Sequence, residues 1–236
     1  MADVFLPAGS AQGKPAVEDV AFLVGGTYTV AIVTPPEPTD LYNPRNYQDD
    51  QGQYYVVSII PPDGHLRYRR CDFSTPLGGY NVDIEMPGVT GASYPVVTVE
   101  PTTRAVLVLW TGTGPHVYEA LSNDDGESWE VPIVAFSGGS KPAIWVGVDS
   151  SIMRGAVVGT HIELSYQAPG DMAPSAPFTM KDQTGATILV KNDTFGLSQE
   201  TNDSTLRWTA ELSITGETAT STWESTDDGE SWKRVV

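Results

Sequence analysis

Cysteine occurs once in 236 residues, as Cys71, which excludes an internal disulfide and any zinc site built from several thiolates. Stability then has to come from packing. Basic residues are also scarce: 13 Lys and Arg stand against 30 Asp and Glu, a formal charge of -17. Such a surface repels phosphate backbones and anionic bilayers, so nucleic acid and membrane insertion are set aside as partners. The same charge suits free solubility and docking onto a basic neighbour alike. No run approaches the ~18 consecutive apolar residues of a membrane-crossing helix, and no amphipathic helix of useful length occurs. Met1 to Phe5 carries no basic segment, and Pro7 and Gly9 interrupt the start, which predicts no secretory signal peptide.

Several kinds of chemistry are missing too. His65, His116 and His161 stand singly, without the paired spacing of a zinc site or a nucleophile to activate. There is no Gly-x-Ser-x-Gly elbow, and neither acidic turn follows the ligand order of an EF-hand loop. The expectation is no metal and no cofactor. Asp83, Glu85 and Glu163 sit in apolar strand context, but none has a spaced partner of the kind glycoside hydrolysis requires. They read as residues of solvated faces.

What the chain does have is short β-rich runs punctuated by turns. Strands are predicted over Tyr28 to Val33, Tyr54 to Ile60, Leu66 to Cys71, Val96 to Val99, Val106 to Trp110, Val117 to Leu121 and Ala143 to Val148. Val157 to Tyr166, Thr187 to Val190, Leu206 to Ile214 and Thr220 to Glu224 continue the series, with β-branched and aromatic residues enriched throughout. Pro62-Asp63-Gly64 and Pro101-Thr102-Thr103-Arg104 supply hairpin turns. The class is all-β, and the spacing of strands suits a sandwich, a barrel or a propeller. Met1 to Glu18, with Pro7, Gly9, Gly13 and Pro15, reads as an extended N-terminal arm or a frayed terminus. Residues 19–236 are expected to form a single domain, with a subdivision near 137 as the alternative.

One signal stands above the rest. Ser122-Asn123-Asp124-Asp125-Gly126-Glu127-Ser128-Trp129 recurs as Ser225-Thr226-Asp227-Asp228-Gly229-Glu230-Ser231-Trp232, with the last six residues identical. Internal repetition of this kind points to a repeat architecture. Asp124 and Asp227 suit acceptance of backbone N–H bonds inside a turn, Gly126 and Gly229 suit positive φ, and Trp129 and Trp232 suit burial beneath it. Both copies fit Ser-x-Asp-x-Gly-x-x-Trp and so resemble the Asp-box of sialidases and other BNR-repeat proteins. The resemblance covers residues 94–135 and 205–236 best. It implies that the box is a structural turn between the outer strands of a propeller blade, away from any catalytic centre. The copies start 103 residues apart, 225 less 122, which fits two blades of ~50 residues with one unboxed blade between them. The chain is then a β-propeller-like fold with four or five blades, against six in sialidases; a β-sandwich pair is the alternative.

The sialidase resemblance stops short of the chemistry. The Arg-Ile-Pro motif is absent, and none of Arg45, Arg67, Arg69, Arg70, Arg104, Arg154, Arg207 and Arg234 stands in a context that transfers a substrate-clamping role. Arg67, Arg69 and Arg70 lie together on one strand, either as an interaction patch for an acidic neighbour or anionic glycan, or as charges that keep an edge from aggregating. No catalytic residue is expected. The function expected is a non-catalytic structural or interaction protein. A boxed protein without a leader points to a bacteriophage virion, as a tail or head-associated component with other virion proteins or its own copies as partners. The alternative is a carbohydrate-binding module or glycosidase in which Tyr42, Tyr47 or Trp145 serves as a sugar platform. Virion, cytoplasm and leaderless export are the locations consistent with this reading.

Overall fold

Runs of Val, Ile, Tyr and Trp between Gly- and Pro-containing turns fold as strands, because such side chains fit a pleated, half-buried surface. The computed structural model describes residues 4–6, 18–24, 27–33, 42–48, 53–71, 80–191, 195–202 and 205–235, and no helix occurs among them. Sheet I contains β1 (Val4–Leu6), β2 (Glu18–Val24) and β3 (Thr27–Val33). Sheet II contains β4 (Tyr42–Gln48), β5 (Tyr54–Ile60), β6 (His65–Cys71) and β7 (Val82–Glu85). Sheet III follows with β8 (Ser93–Val99), β9 (Val106–Thr111), β10 (His116–Ser122) and β11 (Ile133–Ser137). Sheet IV has β12 (Gly139–Val146), β13 (Ile152–Val158), β14 (His161–Gln167) and β15 (Phe178–Thr179). Sheet V ends the chain with β16 (Gly196–Asn202), β17 (Thr205–Ser213), β18 (Thr220–Ser225) and β19 (Lys233–Arg234).

Every sheet is an antiparallel meander in which consecutive strands are hydrogen-bonded neighbours. Successive sheets meet through their first strands, β4 on β8, β8 on β12 and β12 on β16. Sheets II to V therefore each run outward from an inner first strand to an outer last one. This is a β-propeller-like arrangement, and not a pair of stacked sheets. Residue 137, near which a subdivision is the alternative to a single domain, is the end of β11 and so the step from sheet III to sheet IV. Of the N-terminal arm, Val4–Leu6 pairs with Asp19–Ala21 of β2; residues 1–3 and 7–17 lie outside the described residues.

Packing sheet on sheet explains β9, the second strand of sheet III, whose sequence is apolar without alternation. In β9, Val106, Val108 and Trp110 enter the core shared with sheet II, whereas Leu107 and Leu109 enter the core shared with sheet IV. A strand buried on both faces loses the polar-out pattern that marks a half-exposed one. A third core, between sheets IV and V, is filled by Met153, Leu164, Trp208 and Trp232. The structure corrects two predicted strands. Val157 to Tyr166 is two strands, β13 and β14, joined by a Gly159-Thr160 turn that brings Val158 opposite His161. Thr187 to Val190 forms only isolated bridges, to Lys181 and Ile214.

Candidate functional site

The repeated octapeptides occupy equivalent places. Each follows the third strand of its sheet, β10 or β18, and leads into the fourth, β11 or β19, with the unboxed sheet IV between them. Their hydrogen bonds match atom for atom. In the first copy the Ser122 hydroxyl donates to Asp124 Oδ1 (2.8 Å) and accepts from the Gly126 amide (2.8 Å). Asp124 then accepts from the Ser128 amide (2.8 Å) and hydroxyl (2.6 Å). In the second copy Ser225, Asp227, Gly229 and Ser231 repeat these bonds at 2.6, 3.0, 3.0 and 2.6 Å. Donors from Ser128 and Ser122 hold the Asp124 carboxyl at about 2, below the usual carboxylate range. Gly126 and Gly229 have φ of 89° and 87°, a conformation glycine adopts without strain.

Each turn leans on the sheet that precedes its own. Against the first turn, Tyr68 of β6 lays its ring over Gly126 and donates its hydroxyl to the Asp125 carbonyl at 3.0 Å. Burial pushes the Tyr68 phenol up. Arg70 pairs with the Asp125 carboxylate at 2.9 Å, and Arg104 approaches it at 3.4 Å while also bonding Gln53 and Tyr55. Against the second turn, Met153 and Phe178 of sheet IV cover Gly229. There burial, reinforced by Asp228, raises the Tyr166 phenol to about 12.

These contacts revise the arginine patch. Arg67 and Arg69 both bind Asp83 of β7, at 2.6 and 3.1 Å, and Arg69 also lies 4.9 Å from the centre of the Tyr80 ring. Arg70 is spent on Asp125. β6 lies between β5 and β7, so the three guanidinium groups do not guard a sheet edge, and each is paired with a carboxylate of the same chain. The neighbouring acids are engaged as well. Burial opposes ionisation of Asp83, but its hydrogen bonds from Arg67 and Arg69 prevail and lower its pKa. Glu85 meets His65 at 2.6 Å, and Glu163 lies 3.7 Å from His161.

A cleft of about 470 Å³ opens between sheets II and III. One wall is the loop from Pro87 to Thr90 that joins the sheets; the other is Trp110, Gly112, Thr113 and Tyr118, with Trp129 to Pro132 closing the end. The Trp110 and Tyr118 rings stack with centroids 5.9 Å apart and planes 18° apart. Gly112 permits the stack, because a Cβ there would lie 2.5 Å from the Tyr118 ring. Aromatic walls with a few hydroxyls and one carboxylate make an amphipathic pocket of the sort that holds small polar ligands by their apolar faces.

Trp129 joins this cleft because the two copies of the repeat diverge in one respect. In the second copy the Trp232 indole is fully buried and its Nε1–H donates to the Gly229 carbonyl at 2.9 Å. In the first copy Tyr68 takes the space over Gly126 and meets the Trp129 ring edge-on at 5.0 Å. Trp129 as a whole is only partly buried and lines the cleft, although its Nε1–H is buried and has no acceptor. Neither Trp110 nor Tyr118 was singled out in sequence; the signal present was an aromatic on each side of Gly112, inside an otherwise aliphatic hairpin. Among the expected sugar platforms, Trp145 is 37% exposed on β12, away from this cleft. The side chains of Tyr42 and Tyr47 lie outside the described residues.

No protein-family model matches the chain, and no curated protein matches it in sequence. Solved structures do match in shape. The Hadza microbial sialidase Hz136 superposes with a TM-score of 0.58 at 14% identity, over 82% of this chain and 46% of its own. The chain thus spans about half the length of that sialidase. A GH93 α-L-arabinofuranosidase of Fusarium graminearum, solved with arabinobiose, gives 0.56 at 11% identity, over 84% of this chain and 68% of its own. A mutant of the Aleuria aurantia lectin in complex with Fucα1-6GlcNAc gives 0.55 at 13% identity, over 93% of this chain and 70% of its own. The fold is that of propeller-type glycosidases and lectins. At these identities the likeness extends to fold and no further.

Proposed function

We propose that this chain is a non-catalytic carbohydrate-binding propeller module whose sugar site is the cleft between sheets II and III. The observation that carries the reading is the fate of Trp129: the same hexapeptide buries Trp232 against its own turn but places Trp129 in a cleft beside the stacked Trp110 and Tyr118. An aromatic face fits the apolar face of a pyranose ring, while the hydroxyls of Thr90 and Thr113 suit sugar oxygens. The paired octapeptides act as Asp-boxes, bracing sheets rather than touching ligand.

Absence of hydrolysis is part of the proposal. Glycoside hydrolysis generally requires two carboxyl groups ~5–10 Å apart across the scissile bond, and Glu130 is the one carboxylate in the described lining of the cleft. Asp83, Glu85 and Glu163 are each engaged with a basic side chain. The structural neighbours lend no support to a virion role. A glycan array tests the reading. The wild-type protein should bind a defined subset of glycans without releasing sugar, and Tyr118→Ala should weaken that binding by roughly tenfold or more. Sugar release from a bound glycan, or equal binding by the variant, would contradict it.

A further inference from the structure

We infer that the cleft selects uncharged glycans and rejects those that carry a carboxylate. The inference rests on the carbohydrate-binding reading above and names its ligand class. Its basis is the balance of charge around the cleft. The described lining carries one ionisable side chain that is charged at neutral pH, Glu130, and no lysine or arginine. Asn123 donates to Glu130 Oε1 at 2.9 Å, and the Glu130 amide binds the Leu121 carbonyl at 2.8 Å.

Four arginines of sheets II and III are held by carboxylates that lie outside the described lining of the cleft. Arg70 and Arg104 both face Asp125 in the first boxed turn, and Arg67 and Arg69 both face Asp83. A carboxylate entering the cleft sheds water, meets Glu130, and finds no counter-charge in the described lining to replace the lost hydration. The net charge of -17 opposes its approach from a distance as well. A neutral sugar meets none of these penalties, and its hydroxyls find donors and acceptors in Thr90 and Thr113. The likeness in fold to a sialidase thus coexists with a site built against sialic acid.

The test uses the full chain on immobilised matched pairs, each a neutral oligosaccharide and the same core with one terminal sialic acid. Neutral members should bind, with their sialylated partners at least about tenfold weaker at low salt, and the ratio should shrink as salt screens the repulsion. Glu130→Gln should reduce the ratio by about threefold or more. Sialylated partners binding as well as or better than neutral ones would overturn this inference and leave the carbohydrate-binding reading standing. A ratio unchanged by Glu130→Gln would remove Glu130 as its cause and overturn the electrostatic account. Binding to no member of any pair would overturn both the inference and the reading.

Discussion

At the scale of single residues, the two copies of the hexapeptide make an internal control. A Cβ on Gly126 would stand 2.0 Å from the ring of Tyr68, which is itself fully buried and hydrogen-bonded to the Asp125 carbonyl. A Cβ on Gly229 would stand 2.9 Å from the terminal methyl of Met153, a flexible group that can yield. Both positions also have positive φ. Gly126→Ala should therefore destabilise the fold by roughly 2–4 kcal/mol and Gly229→Ala by only about 1–2 kcal/mol, as read from urea denaturation of the two variants. Equal losses would mean that backbone strain, and not the ring, decides the cost. The turn chemistry of Ser122, Asp124, Gly126 and Ser128 was legible from residue types alone, since short polar side chains and glycine have few other uses in that order. The departure of Trp129 was not. It depends on Tyr68, more than fifty residues upstream on another sheet, where local pattern carries no signal.

At the scale of elements, polar contacts stitch adjoining sheets at each described seam. Between sheets III and IV the stitch is a buried pair: Glu119 of β10 accepts from Arg154 of β13 at 2.5 and 3.2 Å, with both side chains at most 10% exposed. Between sheets IV and V, Gln199 of β16 accepts from the Val148 amide at 2.9 Å and donates to Ser151 at 3.3 Å. Removing one partner of a buried pair strands the other charge, so Arg154→Met should destabilise the protein by roughly 3–5 kcal/mol. The double change Glu119→Leu with Arg154→Met should recover most of that loss, and a double-mutant cycle in denaturant measures the coupling. A double variant as unstable as the single one would show that shape at the seam matters more than charge. The third strands β6, β10 and β14 each open on a histidine, His65, His116 and His161, and share the burial pattern of their first five residues. Those histidines were visible in sequence as isolated residues, but their common register emerges only once the hairpins are counted. Outer strands such as β15 and β19, two residues each, are too short for any periodicity to reveal.

At the scale of the whole molecule, one ratio was decisive in sequence: 103 residues between turns, set against a blade period of ~50, anticipates the single unboxed sheet between them. The same period gives four or five sheets, and five occur; the order of strands from axis to rim is carried by the Asp-box resemblance instead. Which seam opens into a cleft follows from neither, because it depends on side chains from two sheets and the loop that joins them. The central claim is that sugar binds at this seam beside Trp129. It is tested most directly by nitrogen–proton correlation spectra of the six tryptophan indoles, recorded as the strongest neutral ligand of the matched panel is titrated in. The account predicts that the Trp129 and Trp110 indole signals move together with ligand concentration, while Trp208 and Trp232, buried between sheets IV and V, stay still. Movement of Trp145 with Trp129 and Trp110 unchanged would place the sugar on another sheet and contradict the account.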